Sequence, residues 1–363
     1  MNVLAVEPYY DGSHKAFIDG WLELSRHTGT LLTMPAYKWK WRMRGSAIEM
    51  ARQANWLYEC GHKFDVIFCS DMLNLAEFCG LLTPSLTALP RIVYFHENQI
   101  TYPCRVSDKR DYHFALTNIT TALCASQVWF NSDYHKNDFL TGAADFLSRM
   151  PDYKCLYSID AIQKKSFVVH PCIKPVASRL PQTDGTLNII WAARWEHDKN
   201  PDDFFAALRL LKDMAVDFRI SVTGQSFSDV PPVFEKAKVE FADYLLHWGF
   251  LPDTTAYHRA LEQADVFVST ASHEFFGISA VEAAAAGCCA AVPNRLAYPE
   301  VFSGLSDVLY DGSCRGLAAM LAGLAGDRKK LVNLAEKCCE ISKKYLWRNN
   351  IGIIDDLVDK CEQ

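Results

Sequence analysis

Ser272-His273-Glu274-Phe275-Phe276-Gly277-Ile278-Ser279-Ala280-Val281-Glu282-Ala283-Ala284-Ala285-Ala286-Gly287 is the stretch that decides the fold. The apolar run Val266–Ser269 comes just before it, and an alanine-rich segment closes it at Gly287. Read physically, this is a buried strand, a tight turn and a helix over Ser279–Ala286. The free N–H groups and positive end of such a helix form an anion site at the edge of a sheet. Gly277 lets the backbone of the Phe276-Gly277-Ile278 turn approach a ligand closely. Glu282 lies about one turn into the helix, where a carboxylate can accept two ribose hydroxyls, and Glu274 on the loop can address a sugar hydroxyl. Without further context, a charge that stabilises a helix start plus a surface glutamate is the preferred reading.

Working outward, the same strand-then-helix alternation fills both halves of the chain. Towards the N-terminus, the spacing predicts strands at Val3–Val6, Thr30–Met34, Val66–Ser70, Ile92–Phe95 and Val128–Asn131. Helices are predicted between them at Lys15–Arg26, Ser46–Cys60 and Tyr112–Cys124, and after them at Asp133–Phe139. Residues 141–186 break the rhythm with a short strand, Phe167–His170, and a loop bearing Pro171, Pro175, Pro181 and Gly185. The alternation then restarts with strands Leu187–Ala192, Phe218–Thr223, Tyr244–Gly249 and Val266–Ser269. Short apolar strands separated by helices predict parallel sheets covered on both faces. Two such arrays predict an α/β chain of two Rossmann-like domains facing across a cleft, followed by C-terminal helices. The expected boundaries are 1–172 for the N-terminal domain, 173–186 for a linker, 187–340 for the second domain and 341–363 for the final helices.

Composition narrows the function. At 363 residues the chain exceeds one ordinary core, and half of it is apolar. No uninterrupted apolar stretch approaches the roughly 18–20 residues that span a bilayer, and the start lacks a basic, apolar leader. A cytoplasmic protein without membrane insertion is expected. The thirteen cysteines form no C-x-x-C pair and read as reduced packing residues. The net charge of −6 excludes a generally basic coat but allows a local basic patch. No metal is expected, because no D-x-D motif stands at a strand end. No G-x-G-x-x-G opens either domain, which sets aside a dinucleotide-binding dehydrogenase.

The loop after the first strand of the second domain, Ala192-Ala193-Arg194-Trp195-Glu196-His197-Asp198-Lys199-Asn200-Pro201, holds Arg194 and Lys199 five apart. Fixed cations lower the barrier to loss of an anionic leaving group. With Glu274 and Glu282 eight apart, the wording resembles the E-x7-E donor motif of the retaining family-4 glycosyltransferases of GT-B fold. That resemblance implies that Arg194 and Lys199 grip a donor diphosphate, Glu282 the ribose and Glu274 the sugar. It also matches Gly224 to a glycine after the next strand and Trp248-Gly249-Phe250-Leu251 to a segment beside the base.

In the N-terminal half, Gly12 follows the first strand and can bring backbone near phosphates. His96 ends the fourth strand, ahead of Glu97-Asn98-Gln99, where open α/β sheets collect catalytic groups. The segment Pro35-Ala36-Tyr37-Lys38-Trp39-Lys40-Trp41-Arg42-Met43-Arg44 alternates rings with cations. It suits a polyanion whose bases stack, at about 1–3 kcal/mol per base. An amphipathic edge strand that buries Trp39 and Trp41 explains the alternation as well.

Together, Glu7–Lys15, Lys38–Arg44 with Ser46-Ala47, Asn74-Leu75 and Tyr94–Gln99 resemble the tRNA-queuosine alpha-mannosyltransferase family. The resemblance implies mannose transfer from GDP-mannose to queuosine at the wobble position of tRNA. Neither a cofactor nor a metal is implied. Lys38, Trp39, Lys40, Trp41, Arg42, Arg44 and Asn98 would meet the acceptor, and His96 would act with Glu274, Arg194 and Lys199 in catalysis. Two alternatives stand beside it: a family-4 transferase with a glycan, lipid or small-molecule acceptor, and a non-catalytic tRNA-binding protein with a vestigial transferase domain.

Overall fold

A computed structural model describes residues 1–103, 111–226 and 230–362. The chain divides into two compact units, Met1–Cys172 with Trp347–Gln363, and Ile173–Leu346.

The first unit is built on six parallel strands: β1 (Asn2–Tyr10), β2 (Thr28–Pro35), β3 (Val66–Ser70), β4 (Arg91–Phe95), β5 (Gln127–Phe130) and β6 (Ser166–Val168). Their order is β2-β1-β3-β4-β5-β6. Successive residues of a strand point to opposite faces, and this alternation sorts the apolar runs into two cores. Leu4, Val6, Ile67, Val93, Phe95, Val128 and Phe130 enter one. Val3, Ala5, Val66, Phe68, Ile92, Tyr94 and Trp129 enter the other.

The second core is closed by α1 (Gly12–Leu24) and by the helix Trp347–Asp359, which contributes Trp347, Ile354 and Val358. Asp355 anchors that helix: its buried carboxylate accepts from Trp21 Nε1 (3.0 Å), Ser25 Oγ (2.7 Å) and Arg26 N (2.9 Å). The segment read from sequence as appended C-terminal helices therefore returns, from Trp347 onward, to the N-terminal unit. Helical periodicity marks an apolar face but does not say which sheet covers it.

The second unit has strands β7 (Leu187–Ala192), β8 (Phe218–Thr223), β9 (Leu245–Gly249), β10 (Val266–Val268), β11 (Cys289–Pro293) and β12 (Leu309–Tyr310). All pair in parallel in the order β12-β11-β10-β7-β8-β9, the doubly wound Rossmann arrangement. Residues 173–186, expected as a linker, pack into this unit. Ile173 bridges Leu346, and Arg179 N donates to Ala286 O.

Each sheet reverses its winding at one point, β1/β3 in the first unit and β7/β10 in the second. Ligands of open α/β sheets bind beyond the carboxyl ends of the strands at such a reversal. Every described cysteine is a free thiol. No helix among the described residues is long and apolar enough to cross a membrane.

Candidate active site

The β7/β10 reversal puts the Arg194–Lys199 loop beside the Glu274 loop, and backbone contacts tie the two together. Ser272 N and Oγ both donate to Asp198 O, at 2.8 and 3.0 Å, and Thr270 Oγ1 donates to Lys199 O at 2.9 Å. The chain leaves β7 through a short 3-10 turn, His197–Lys199. It then passes through Asn200 at φ 49 into the helix Pro201–Asp213, whose first-turn proline suits a helix start.

Lys199 is buried, and its Nζ donates to His273 O (2.9 Å) and Glu274 Oε2 (3.2 Å) and pairs with Asp198 Oδ2 (3.1 Å). Burial alone would lower the Lys199 ammonium, but Glu274 and Asp198 hold it above its usual range. It is therefore a fixed cation. Arg194, five residues earlier, is exposed and lies 3.3 Å from Glu196. Gly224 is required by close approach: a Cβ there would sit 1.7 Å from the carbonyl oxygen of Ala193, the residue before Arg194.

Gly277 caps the helix Ile278–Ala285 at φ 89, a left-handed conformation that glycine adopts freely. A Cβ there would meet the Tyr298 ring at 2.8 Å. Phe276 is buried against Tyr345, with ring centroids 5.2 Å apart, so its side chain packs and only its backbone is left to face a ligand. Glu282 accepts from Tyr257 OH at 3.1 Å. Burial pushes its carboxyl up to about 7, and the tyrosine opposes that rise. Tyr257 and Asp198 were not singled out in the sequence: Tyr257 lies outside the quoted motifs, and Asp198 is a position of the Arg194–Lys199 loop to which no role was given.

In the first unit, β2 leads through Lys38 (φ 52) straight into α2 (Trp39–Glu59). The helix begins at Trp39 and not at Ser46, and the ring–cation alternation is neither a strand nor a loop. Met43, Ser46, Ala47, Met50, Ala51 and Ala54 recur at helical spacing and bury one face, which carries the helix back through the alternating segment. Residues two apart on a helix point in nearly opposite directions. Trp39 accordingly turns inward onto Phe114, at 5.2 Å between centroids, while Trp41 stays 64% exposed. Lys38, Lys40 and Arg44 are exposed; Arg44 also lies 4.8 Å over the Phe114 ring. Arg42 Nε donates to Pro35 O (3.0 Å) and fastens the strand end. Asn98 is wholly buried, and its Oδ1 accepts from Ile100 N, Thr101 N and Thr101 Oγ1.

Gly12 opens α1 at φ 52, with Asp11 capping its N–H and open space where a Cβ would be. At the β1/β3 reversal, the expected site residue His96 meets Glu7, His14 and Asp71, none of which the sequence singled out individually as a site residue. Glu7 Oε1 accepts from Tyr9 N (2.9 Å) and Ser70 Oγ (2.8 Å), and Oε2 faces His14 Nδ1 at 3.2 Å. The His14 ring stacks on His96, with centroids 4.0 Å apart, and Asp71 Oδ1 accepts from His96 N (2.9 Å). Glu7, His14 and His96 present ligand-type atoms within 4.8 Å of one another. The two rings are tilted by 31°, and both Glu7 carboxylate oxygens are engaged. Within the set, Glu7 and His14 form an ion pair beside the His96 ring.

A doubly wound unit with a buried lysine, an arginine and two helix-edge glutamates at its reversal, joined to a second parallel α/β unit, defines a glycosyltransferase of the two-Rossmann class. Solved structures of that architecture superpose on the chain. Sucrose-phosphate synthase from Thermosynechococcus elongatus does so with a TM-score of 0.72 at 12% identity, covering 99% of each chain. Anabaena HepE, in complex with UDP-glucose, gives 0.71 at 14% identity, covering 99% of this chain and 98% of its own.

Residues 178–337 match the model of group 1 glycosyl transferases, and residues 2–173 match the N-terminal model of tRNA-queuosine alpha-mannosyltransferase. The tRNA-queuosine alpha-mannosyltransferase of Drosophila melanogaster is 37% identical over 314 residues, 83% of this chain and 81% of that protein. The chain belongs to the tRNA-queuosine alpha-mannosyltransferase family.

Proposed function

We propose that this chain transfers mannose from GDP-mannose to queuosine at the wobble position of a tRNA in the cytoplasm, retaining the alpha configuration. The observation that carries the reading is the joining, in one chain, of two parts. One is the Arg194/Lys199/Glu274/Glu282 constellation; the other is an N-terminal unit matched to the queuosine-specific model over residues 2–173.

In this mechanism Arg194 and Lys199, with the backbone of Phe276, Gly277 and Ile278, stabilise the departing diphosphate. Glu282 holds the ribose, Gly12 and Gly224 bring backbone close to the donor, and Glu274 and His96 orient the sugar. The two cations take the place of a metal. The bond from the anomeric carbon to the phosphate oxygen breaks as the acceptor oxygen bonds on the same face. The acceptor proton passes to the leaving phosphate. A double displacement would need a carboxylate nucleophile on the opposite face, and Glu274, engaged with Lys199, is directed to the leaving group's cation. Trp41, Lys38, Lys40 and Arg44 grip the anticodon loop through a stacked base and phosphates.

The test measures nucleoside diphosphate released from a panel of sugar nucleotides, with and without queuosine-containing tRNA. Release from GDP-mannose that depends on this tRNA supports the reading. Equal release with tRNA lacking queuosine would overturn the acceptor, and a covalent sugar trapped on Glu274 would overturn the same-face route.

A further inference from the structure

The mechanism uses His96 but leaves unexplained the buried groups around it. Two of these, Glu7 and His14, are charged or titratable, come from β1 and α1, and are shut away from solvent at 2% and 6% exposure. Placing an ion pair in a protein interior strips both ions of water, a cost set against their attraction. Every oxygen of Glu7 is occupied, which makes its arrangement specific.

His14 stands between this carboxylate and His96. The His96 ring is enclosed by His14 (4.0 Å, 31° between planes), Tyr94 (4.6 Å, 75°) and Phe17 (5.8 Å, 82°). Its backbone is held on both sides: its N–H donates to Asp71 Oδ1, and its carbonyl accepts from Asn131 Nδ2 at 2.9 Å. The ring is therefore held in one orientation at the end of β4, beside the β1/β3 reversal where a ligand is expected.

We propose that Glu7 and His14 form a buried ion pair that orients the His96 ring and keeps it neutral, so that His96 meets the transferred sugar as an uncharged hydrogen-bonding group. His14 and Glu7 are positioning residues, acting through His96; this rests on the sugar-orienting role proposed for His96.

The charges around the pair agree in direction. For His14, burial works against the proton, but Glu7, followed by Asp71 and Glu97, lifts it to about 9. For His96, burial comes first, and the positive His14 and then His135 add to it, so that His96 stays well below its ordinary range. Groups from β1 (Glu7), α1 (His14), the end of β3 (Asp71), the loop after β4 (Glu97) and the helix Asp133–Ser148 (His135) are all included. Near neutrality the expected state is a charged His14 under an uncharged His96. A neutral imidazole has one donor and one acceptor nitrogen, which can serve two sugar hydroxyls, whereas an imidazolium only donates.

The experiment uses the full chain with selectively labelled histidine and follows the His96 ring by NMR from pH 5 to 9. The wild-type protein is compared with His14→Gln and Glu7→Gln, the latter keeping the size of the carboxylate while removing its charge. Hexose transfer is measured over the same range. In the wild type, the His96 midpoint should lie below its ordinary value and transfer should hold level down to pH 6. In either variant the His96 midpoint should rise toward the ordinary value of about 6.5. Transfer at pH 6 should then fall about two- to threefold relative to pH 8, in kcat more than in the donor KM.

His96 unchanged in both variants would overturn the inference, as would one equivalent of a divalent metal bound to the wild type and lost in the variants. A wild type that transfers no hexose from any donor would instead refute the proposed function, while the His96 titration would still decide the ion pair's effect.

Discussion

The two winding reversals make an instructive pair. At β7/β10, the charged residues come from two short contiguous segments, 194–199 and 272–282, and include an exposed arginine. At β1/β3, the grouped residues come from β1, α1 and the ends of β3 and β4, span residues 7 to 96, and pack around one histidine ring. The diphosphate site proposed at β7/β10 needs cations and helix-start amides, which two strand–turn–helix segments can supply within a few residues each. A site that presents a single oriented ring needs neighbours on every side, and in a parallel sheet those neighbours are distant in sequence. The fold is the same; the load on it differs.

The largest expected break falls on the C-terminal site. Lys199→Ala removes a buried cation and leaves Glu274 without its 3.2 Å partner. Loss of one group that stabilises developing charge typically costs about 10²–10³ in kcat, and single-turnover release of nucleoside diphosphate should show it. A Lys199→Ala enzyme within twofold of wild type would move the diphosphate site elsewhere.

A medium effect separates the two tryptophans of α2. Trp41→Ala should weaken tRNA binding by about 1–3 kcal/mol, the worth of one stacked base, and leave the melting temperature unchanged. Trp39→Ala should do the reverse, because Trp39 packs on Phe114. Binding titrations at fixed salt with thermal melts decide between them, and equal binding losses for both would return the segment to a shared aromatic face.

Tyr257→Phe is a smaller change. It removes one hydrogen bond to Glu282, worth about 1 kcal/mol, and the direct opposition to the upward shift of that carboxyl. The donor KM should rise about fivefold near pH 6.5 and less at pH 8, where most of Glu282 is ionised in both proteins. A KM change independent of pH would contradict the role given to Tyr257.

The remaining effect is on stability. His14 holds its proton more tightly folded than unfolded, so its contribution is complete below about pH 6.5 and is lost as pH rises through about 9. Unfolding midpoints from pH 6 to 9.5 should therefore decline more in the wild type than in His14→Gln.

These contrasts also show what could be read from residues alone. The parallel strands were legible because a strand buried on both faces is a short apolar run, and Val66–Ser70, Leu187–Ala192 and Phe218–Thr223 coincide with their predicted limits. The 194–199 and 272–282 loops were legible as candidates because their chemistry is contiguous, and the structure brings them together. The start of α2 was not: Trp39, Trp41 and the intervening cations mimic strand alternation, and the small residues that make the helix lie after them. The placement of Trp347–Asp359 was not legible either, because the carboxylate of Asp355 finds Trp21 and Ser25 more than 300 residues away. The Glu7–His14–His96 set was visible only as parts of two motif-like stretches. What joins them is the β1/β3 reversal, a property of strand order and not of spacing.

The most direct test of the account is the mass of the modified nucleoside. Queuosine-containing tRNA is incubated with the full chain and GDP-mannose, digested to nucleosides and weighed. The account predicts queuosine heavier by one hexose, in wild-type reactions and not with Lys199→Ala. Unmodified queuosine with every sugar nucleotide offered would contradict it.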